Sequence, residues 1–343
     1  MPSLSVPLES VDLLLCPVCA EDMRPNEDSV AGGISCAAGH RFDGAKQGYI
    51  NLLTGRGTSF IPDTAEMVAA RSAFLDDGHY DPLLRQVAGT VSGLLEGVER
   101  PVIVDAGAGT GHYLAAAVGA VPAARAVALD LSKFALRRAA RSVPQALCLV
   151  WDLWRPLPLA GGVVDLIINV FAPRNAEEYA RILKPGGNLL VVTPAPGHLD
   201  ALRARLPLLA VDEDKSDKLA ASLARDFTPV SADSLSVPMQ LKGEDMRTVV
   251  MMGPNAQAPP GPVTPVSRKA LSRNAALPSR SLSTSTSRKS VGRASMASRT
   301  LQWKVYSPHW HLSVPVTGWW NWRSTPSSRR TRSSSPTRGR TGW

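Results

Sequence analysis

Residues 101–193 alternate between short apolar runs and amphipathic runs, and this alternation constrains the fold more than any other feature of the chain. Short apolar runs bounded by turn residues are typical of strands, and apolar residues at helical spacing are typical of helices. The predicted strands are residues 102–106, 126–131, 146–151, 163–171 and 188–193. The predicted helices are residues 112–119, 133–142, 175–183 and 198–206, with a further strand at 234–241 and a short helix at 243–252. Strands that alternate with helices favour a parallel sheet covered on both faces, so we predict an α/β, Rossmann-like doubly wound domain.

The first of these strands ends in an acid and three alternating glycines, Asp105-Ala-Gly107-Ala108-Gly109-Thr110-Gly111-His112. Glycine lets the backbone turn sharply and approach a ligand where a Cβ would collide, and the N-terminus of the following helix favours a negative group. A tight turn without a ligand is the alternative. The spacing G-x-G-x-G differs from the G-x-G-x-x-G of dinucleotide sites. It resembles motif I of class I S-adenosylmethionine-dependent methyltransferases, in which the loop holds the amino-acid end and ribose of the cofactor.

Acids also end the second and third predicted strands, at Asp130 and Asp152. A carboxylate in the position of Asp130 can accept hydrogen bonds from two ribose hydroxyls, and Asp152 is expected near the adenine amino group. The alternative for Asp130 is a capping role at the helix that follows it. Because ligands of open α/β sheets bind at the carboxyl ends of strands, three acids at three successive strand ends favour a cofactor site.

The fourth predicted strand runs into a Phe-Ala-Pro sequence, and its end is where this class of enzyme faces the methyl acceptor. We take Asn169, Phe171 and Pro173 as the candidate catalytic residues. An amide can hydrogen-bond to a base, and an aromatic face can stack on any flat ring. A core strand ending in a proline turn is the alternative, and Asp165 at the start of the strand is predicted to be structural.

Three cysteines and a histidine lie early in the chain as C-x2-C and C-x3-H pairs: Cys16, Cys19, Cys36 and His40. Tetrahedral zinc takes four such ligands, and two short-spaced pairs resemble the spacing of zinc ribbons. Four protein ligands leave no open position for water, so the predicted zinc is structural. A disulfide framework or unlinked thiols are the alternative. Cys148 lies in an apolar stretch and is predicted to be an ordinary buried thiol.

The net charge of +9 suggests an anionic partner, but its distribution does not support that inference. Residues 254–343 hold 15 Lys and Arg and no acid, so residues 1–253 carry 23 basic and 29 acidic groups, a net charge of −6. Phosphate contacts must therefore come from local clusters, for which the candidates are Arg24, Arg41, Lys46, Arg56 and Arg71. No apolar run approaches the roughly 20 residues of a membrane span and no signal peptide opens the chain, so we expect a cytoplasmic protein.

Further motifs make a more specific resemblance, to the bacterial 23S rRNA (guanine-N1)-methyltransferases, over residues 11–253. The zinc pairs are followed by Phe42-Asp43-x-Ala45-Lys46-x-Gly48-Tyr49-x-Asn51-Leu52-Leu53. A helical linker then carries Asp63-x-Ala65-Glu66-Met67, Arg71 and Phe74-Leu75-Asp76-x-Gly78-His79-Tyr80. The domain ends its fourth and fifth strands with Phe171-Ala172-Pro173 and Thr193-Pro-x-Pro-Gly197-His198-Leu199.

The resemblance implies roles that the residues alone do not suggest. Tyr80 and His198 would join the loop of residues 107–112 as S-adenosylmethionine contacts, and the zinc module and linker would form a cleft for a 23S rRNA hairpin. The family modifies either of two neighbouring guanines, and the Ala-, Arg- and Gly-rich body favours the guanine 748 branch, which is associated with tylosin resistance. The guanine 745 branch, a small-molecule methyltransferase and a non-catalytic zinc and RNA-binding protein stay open, as does a homodimer.

The predicted organisation is a zinc-binding RNA-recognition module (1–58), a helical linker (59–99), a methyltransferase domain (100–253) and a basic tail (254–343). The tail is rich in Ser, Arg and Pro and holds six of the eight Trp residues. It is interpreted either as a disordered RNA-binding arm or as an aberrant, out-of-frame product of GC-rich DNA. If the tail is genuine, the sheet is expected to lack its usual last strand.

Overall fold

The structure is a computed structural model that describes residues 5–29, 32–55, 57–195, 197–203, 215–253, 256 and 311–324. The strands are β1 (Met23–Pro25), β2 (Gly33–Cys36), β3 (Arg41–Ala45), β4 (Tyr49–Asn51), β5 (Val102–Ala106), β6 (Arg125–Asp130), β7 (Leu147–Val150), β8 (Val164–Val170), β9 (Leu183–Thr193), β10 (Phe227–Gln240) and β11 (His311–Ser324). The helices are α1 (Ala65–Asp76), α2 (Asp81–Leu94), α3 (His112–Ala120), α4 (Lys133–Ser142), α5 (Ala176–Ile182), α6 (Asp200–Arg203), α7 (Lys215–Leu223) and α8 (Gly243–Met251). None of the helices in these described ranges is long and apolar enough to cross a membrane.

The strands form one mixed sheet in the order β1-β2-β3-β4-β7-β6-β5-β8-β9-β11-β10. Strands β4 to β9 pair in parallel along its centre, which confirms the predicted doubly wound sheet. Alternate residues of β5 enter two different cores: Ile103 packs with α2, α3 and α4, whereas Val102 and Val104 pack with α5 and α7. Both faces of the sheet are therefore covered, as an apolar parallel sheet requires.

The start of β9 differs from the predicted helix end and turn at residues 184–187. Pairing with β8 begins at Leu183, and the next paired residue is Asn188, so residues 184–187 form a bulge inside the strand. Lys184 at this bulge donates to both carboxylate oxygens of Asp165 at 2.9 Å, and Asp165 also accepts from Val102 N at 2.8 Å. Asp165 ties three strands together, in agreement with its predicted structural role.

The tail supplies the last strand of the sheet. Strand β11 lies antiparallel between β9 and β10, with Gly318 opposite Thr193 and Phe227 opposite Ser324. The expectation of a missing strand is therefore wrong, and the disordered interpretation is wrong for residues 311–324. The reason is that residues 311–324 include two Val, one Thr and three Trp, which suit a sheet, and that the segment pairs with both β9 and β10. The rest of the basic tail lies outside the described residues, and the out-of-frame origin stays a prediction.

The zinc module continues the sheet instead of standing apart from it. Strand β4 pairs in parallel with β7, placing Tyr49 opposite Cys148 and Asn51 opposite Val150. Val11, Ile34 and Ile50 share one core with residues of β6 and β7. After β4 the chain crosses the end of β7 as residues 52–63, which we call the strap, before it enters α1. The module and the central parallel sheet are thus packed through a common hydrophobic core.

Candidate active site and zinc centre

Cys16, Cys19, Cys36 and His40 come together between the turn at residues 16–20 and the β2–β3 hairpin, with all ligand atoms within 4.8 Å of one another. The Sγ atoms of Cys19 and Cys36 are 3.7 Å apart, and the Sγ of Cys36 is 3.3 Å from Nδ1 of His40. Tetrahedral zinc with Zn–S bonds of about 2.3 Å requires S···S distances of about 3.8 Å, so the four residues fit this metal. A disulfide needs about 2.05 Å, and all four cysteines of the chain are free.

The glycine loop follows β5 and leads into α3. Gly107, Gly109 and Gly111 all have positive φ values, of 95°, 53° and 83°. The backbone N–H groups of Gly107 and Ala108 both donate to the carbonyl of Leu129, at 2.8 and 3.0 Å. A Cβ on Gly107 would collide with the Cβ of Ala172, and one on Gly111 would lie 2.7 Å from Cα of Ala139. The glycines are therefore required both for conformation and for close packing.

Asp105 is buried at the end of β5, and neither of its carboxylate oxygens finds a hydrogen-bond partner among the described residues. Burial, with a smaller contribution from the charge of Asp130, raises the pKa of Asp105 to about 8. An unpartnered buried carboxylate costs folding free energy unless a ligand satisfies it. The cradle of glycines and this orphaned acid fit a cationic cofactor such as S-adenosylmethionine.

Asp130 and Asp152 lie at the carboxyl ends of β6 and β7. Asp130 accepts from Gly109 N at 2.8 Å and from Ser132 N at 2.7 Å, one bond to each oxygen, so both oxygens keep a free lone pair. The side chain that caps α4 is Ser132 and not Asp130, which removes the simplest structural alternative for this acid. Asp152 accepts from Trp154 N at 3.0 Å and from the Thr58 hydroxyl of the strap at 2.7 Å.

Three rings gather on the acceptor side of the cleft. Phe171 lies 6.3 Å from Tyr80 and 6.3 Å from His198, measured between ring centroids. Its φ of +53° is a conformation that bulky residues rarely adopt, and such strain concentrates at functional sites. The strain turns the ring out of β8, so it is partly exposed. Tyr80 is buried against Phe74, and burial raises the pKa of its hydroxyl.

Comparison with known proteins agrees with this geometry. The zinc-ribbon family described as RlmA, N-terminal, matches residues 14–55, and a methyltransferase-domain family matches residues 103–187. A 23S rRNA (guanine(748)-N(1))-methyltransferase of Streptomyces fradiae is 44% identical over 246 residues, which cover 72% of this chain and 86% of the relative. A Micromonospora griseorubida protein named as a 23S rRNA (guanine-N(1)-)-methyltransferase is 47% identical over 255 residues, covering 71% and 86%.

The chain belongs to the 23S rRNA (guanine-N1)-methyltransferase family. It is an S-adenosylmethionine-dependent methyltransferase with a structural zinc ribbon, as the sequence predicts. A Bacillus subtilis relative named for the same reaction is 32% identical over 232 residues, which cover 66% of this chain and 78% of the relative. The zinc ribbon and the methyltransferase domain therefore occur together in relatives along most of their length.

Asn169, which the sequence analysis takes as a candidate catalytic residue, lies in β8 next to its carboxyl end. It is completely buried, and its Nδ2 donates to the carbonyls of Ala106 and Pro173 at 2.9 and 2.8 Å. The hydroxyl of Tyr179 also donates to the Pro173 carbonyl, at 3.2 Å. Asn169 therefore holds the acceptor loop of residues 171–173 against β5, so we treat it as a positioning residue. Pro173 is exposed, and its carbonyl is the atom that this network fixes.

Oγ1 of Thr110 and Nδ1 of His112 form a hydrogen bond at 2.8 Å. Nε2 of His112 lies 3.0 Å from Oδ1 of Asp76 at the end of α1. Their side chains thus connect the start of α3 to the end of α1. Arg71, predicted as a phosphate contact, pairs with Asp63 at 2.6 Å and donates to Met252 O at 2.8 Å beside Gly109. It closes the cofactor side of the cleft instead of offering a free charge.

Several site residues were missed by the sequence analysis. Thr58 contacts Asp152 across 94 residues of chain, and Arg174 lies next to the acceptor loop with no carboxylate paired to it in the described ranges. Phe60 and Trp154 form a ring contact beside the same loop. Contacts between segments that lie far apart in the sequence have no fixed residue spacing, so no sequence motif predicts them. The one available signal is the presence of two aromatic residues, Phe60 and Trp154, in segments that contain Pro and no predicted strand or helix.

Replacing Asp105 by asparagine is expected to stabilise the cofactor-free enzyme and to weaken S-adenosylmethionine binding. The folded-state pKa of about 8 lies above the ordinary value of 3.8, so this acid contributes most stability below pH 4 and loses it as the pH rises towards 8. The loss has a limiting slope of about 1.4 kcal/mol per pH unit. The difference in melting temperature between the variant and the wild type should therefore grow from pH 4 to pH 8. A difference that is flat with pH would contradict the assignment.

Proposed function

We propose that this enzyme transfers a methyl group from S-adenosylmethionine to N1 of guanine 748 in 23S rRNA and thereby protects the ribosome against tylosin-type macrolides. The observation that carries the proposal is the strained Phe171 ring, held between Tyr80 and His198 at the mouth of a glycine-lined cofactor cleft. The named activity of the Streptomyces fradiae relative favours guanine 748 over guanine 745. A methyl at N1 removes a hydrogen-bond donor from the drug site and adds bulk.

The cofactor assignments belong to the same proposal. Asp130 would accept hydrogen bonds from the ribose hydroxyls, Asp152 would lie at the adenine end, and Asp105 would face the cationic part of the cofactor. The glycine-loop backbone would contact it directly, with Tyr80 and His198 closing the site. The three acid assignments are supported by the position of each carboxylate at the carboxyl end of β5, β6 or β7. The zinc ligands remain remote from the chemistry and stabilise the module.

Positioning accounts for most of the expected catalysis. S-adenosylmethionine supplies the methyl group on a sulfonium, so the chain mainly has to hold guanine N1 in line with it. Phe171 would stack on the guanine, and the loop of residues 171–173 would fix its edge. N1 carries a proton that has to leave, and residues 169–173 contain no carboxylate. The Pro173 carbonyl already accepts from Asn169 and Tyr179, so the N1 proton would pass to a water molecule in the cleft and from there to the solvent.

The rRNA partner requires cations on a body of net charge −6. Arg24, Arg41 and Lys46 of the zinc module are exposed and form no ion pair with any described residue. They support the proposal that this module contacts rRNA phosphates. Arg71 is engaged by Asp63, and Arg56 lies outside the described residues. The hairpin as the bound form, and a homodimer as the active form, belong to the proposal as well.

The proposal predicts a reverse-transcription stop at guanine 748, because a methyl at N1 blocks the base-pairing edge. Ribosomal RNA would be mapped by primer extension from cells with and without the gene, with the Gly107→Arg variant as the inactive control. Tylosin susceptibility would be measured in the same strains, and resistance should accompany the stop. A stop at guanine 745 would assign the enzyme to the other branch, and the absence of any gene-dependent stop would overturn the rRNA substrate.

A further inference from the structure

Large exposed apolar side chains are concentrated around the cleft. Phe60 is 49% exposed, Ile61 76% and Trp154 54%, and these three lie in the strap and in the turn after β7. Single exposed apolar residues are ordinary on a protein surface. Here two aromatic rings from segments far apart in sequence contact each other, with centroids 6.4 Å apart and planes 29° apart. Neither ring belongs to a hydrophobic core of the described residues, so about half of each side chain remains exposed to solvent.

The backbone around the two rings is firmly held. The Thr58 hydroxyl donates to Asp152 at 2.7 Å and also accepts from Phe60 N at 3.2 Å, so one side chain anchors both segments. Trp154 N donates to the other oxygen of Asp152 at 3.0 Å. A rigid pair of exposed rings loses little conformational entropy when a flat ligand stacks on it.

The ring pair adjoins the acceptor loop. Asn175, which begins α5, donates its Nδ2 to Leu153 O at 3.0 Å, so the Trp154 turn is bonded to the segment that follows Pro173. The guanidinium of Arg174 lies in this segment without a carboxylate partner in the described ranges, and burial lowers its pKa from the usual range. An arginine stays charged in proteins, so this one is suited to a phosphate.

The turn that carries Trp154 also contributes Arg155 to the lining of a groove of about 620 Å³, which lies between the zinc knuckle and the methyltransferase domain. Val18 and Pro17 of the knuckle form one wall, and Trp151 and Arg155 form the other. Its volume is in the range of sites that hold a ligand of nucleotide size. Arg155 in this lining is engaged within the chain, because it pairs with the buried Asp152 at 3.9 Å and donates to the carbonyl of Gly57.

We propose that Phe60 and Trp154 form a stacking platform for an unpaired rRNA nucleotide adjacent to the methylated guanine, with Arg174 receiving a flanking phosphate. This inference rests on the proposed rRNA substrate and adds to it the recognition of single-stranded RNA outside the acceptor site. Stacking on an aromatic residue suits an unpaired base of any identity, whereas a paired base is already stacked within its helix. The platform thus selects a loop over a duplex and not one base over another.

The test compares two RNA probes, the 23S hairpin transcript with its loop and the same transcript with the loop closed by complementary bases. Trp154→Ala is expected to weaken binding of the looped probe about tenfold and to leave the closed probe unchanged. Phe60→Ala should do the same, and the double variant should lose less than the product of the two effects because the rings act together. Trp154→Phe should retain most of the affinity. Val98→Ala is the control, because Val98 is 39% exposed and lies before the amino-terminal end of β5, whereas Trp154 lies after the carboxyl end of β7.

S-adenosylmethionine affinity serves as the folding check, because neither ring is placed in the cofactor site. Unchanged affinity of Trp154→Ala for the looped probe would overturn the platform, as would an equal loss for both probes. A change from dimer to monomer in sedimentation, with RNA affinity intact, would assign the surface to a second copy of the chain and overturn it too. If the wild type prefers the looped probe but does not methylate guanine 748, the platform stands and the proposed methylation site is wrong.

Discussion

Gly107→Arg is expected to abolish S-adenosylmethionine binding. Gly107 has a φ of +95°, and a Cβ at this position would collide with the Cβ of Ala172. The collision would displace either the glycine loop or the acceptor loop of residues 171–173, and both line the cleft. Displacement of either loop would change the shape of the proposed cofactor site, and a loss of about 3 kcal/mol of binding free energy corresponds to a factor of about a hundred in affinity. Titration calorimetry of the purified variant measures this directly.

Gly107→Ala and Gly119→Ala complete this experiment. Alanine keeps the collision and the strain, of about 1–3 kcal/mol, without the bulk of arginine, so it should also lose affinity while folding more readily. Gly119 lies in α3 with no atom near the position of a Cβ, so its replacement should leave binding unchanged and slightly stabilise the helix. Wild-type affinity in Gly107→Ala, with a normal melting curve, would contradict the placement of the cofactor at this loop.

The central sheet was predictable because its information is local. An apolar run such as residues 102–106 has no alternative to a buried strand, and parallel topology then brings Asp105, Asp130 and Asp152 to one edge. Strand β11 was not predictable, since it depends on pairing with β9 over more than a hundred residues of intervening chain. Local composition, basic and rich in serine, indicated disorder, and tertiary pairing overrides such a preference.

Within the site, residue types were easier to predict than their roles. Asn169 was recognised as a polar residue at a strand end, but its buried Nδ2 bonds to the Ala106 and Pro173 carbonyls depend on how β8 packs beside β5. The strap presents the same difficulty, because its contact with Asp152 is set by the pairing of β4 with β7. Short-range spacing carries no information about which loop crosses which strand end. Such crossings place Phe60 against Trp154, and they are visible only in the folded chain.

The zinc centre and the cofactor site are coupled through the sheet. The domain boundaries drawn from the sequence treat the zinc module as a unit, whereas β4 forms the edge that protects β7, and Ile50 and Leu52 are fully buried in the shared core. The strap that leaves β4 then fixes Asp152 through Thr58. Loss of the zinc is therefore expected to disturb β4 and the strap, and with them the contact of Thr58 with Asp152 at the proposed adenine end of the cofactor site.

Cys16→Ser is expected to release the zinc, to unfold the amino-terminal module and to lower the melting temperature of the whole chain by about 10 °C or more. Serine is a poor zinc ligand, and the three remaining ligands would stay in a module whose strands are only three to five residues long. Because β4 and the methyltransferase sheet share a core, a single cooperative transition should shift, and S-adenosylmethionine affinity should fall with it. Metal content by mass spectrometry and calorimetric melting measure both effects.

Cys148→Ala is the matched control, because it removes a buried thiol of β7 that lies outside the metal cluster. It should keep one zinc per chain and lose only the stability expected for a small buried group. Chelation of zinc from the wild type should reproduce the Cys16→Ser melting curve, since both remove the same metal from the same core. If Cys16→Ser kept one zinc per chain, the ligand set would be wrong. If it lost zinc but retained wild-type cofactor affinity, the module would be independent of the cleft, and the coupling through β4 and Thr58 would be refuted.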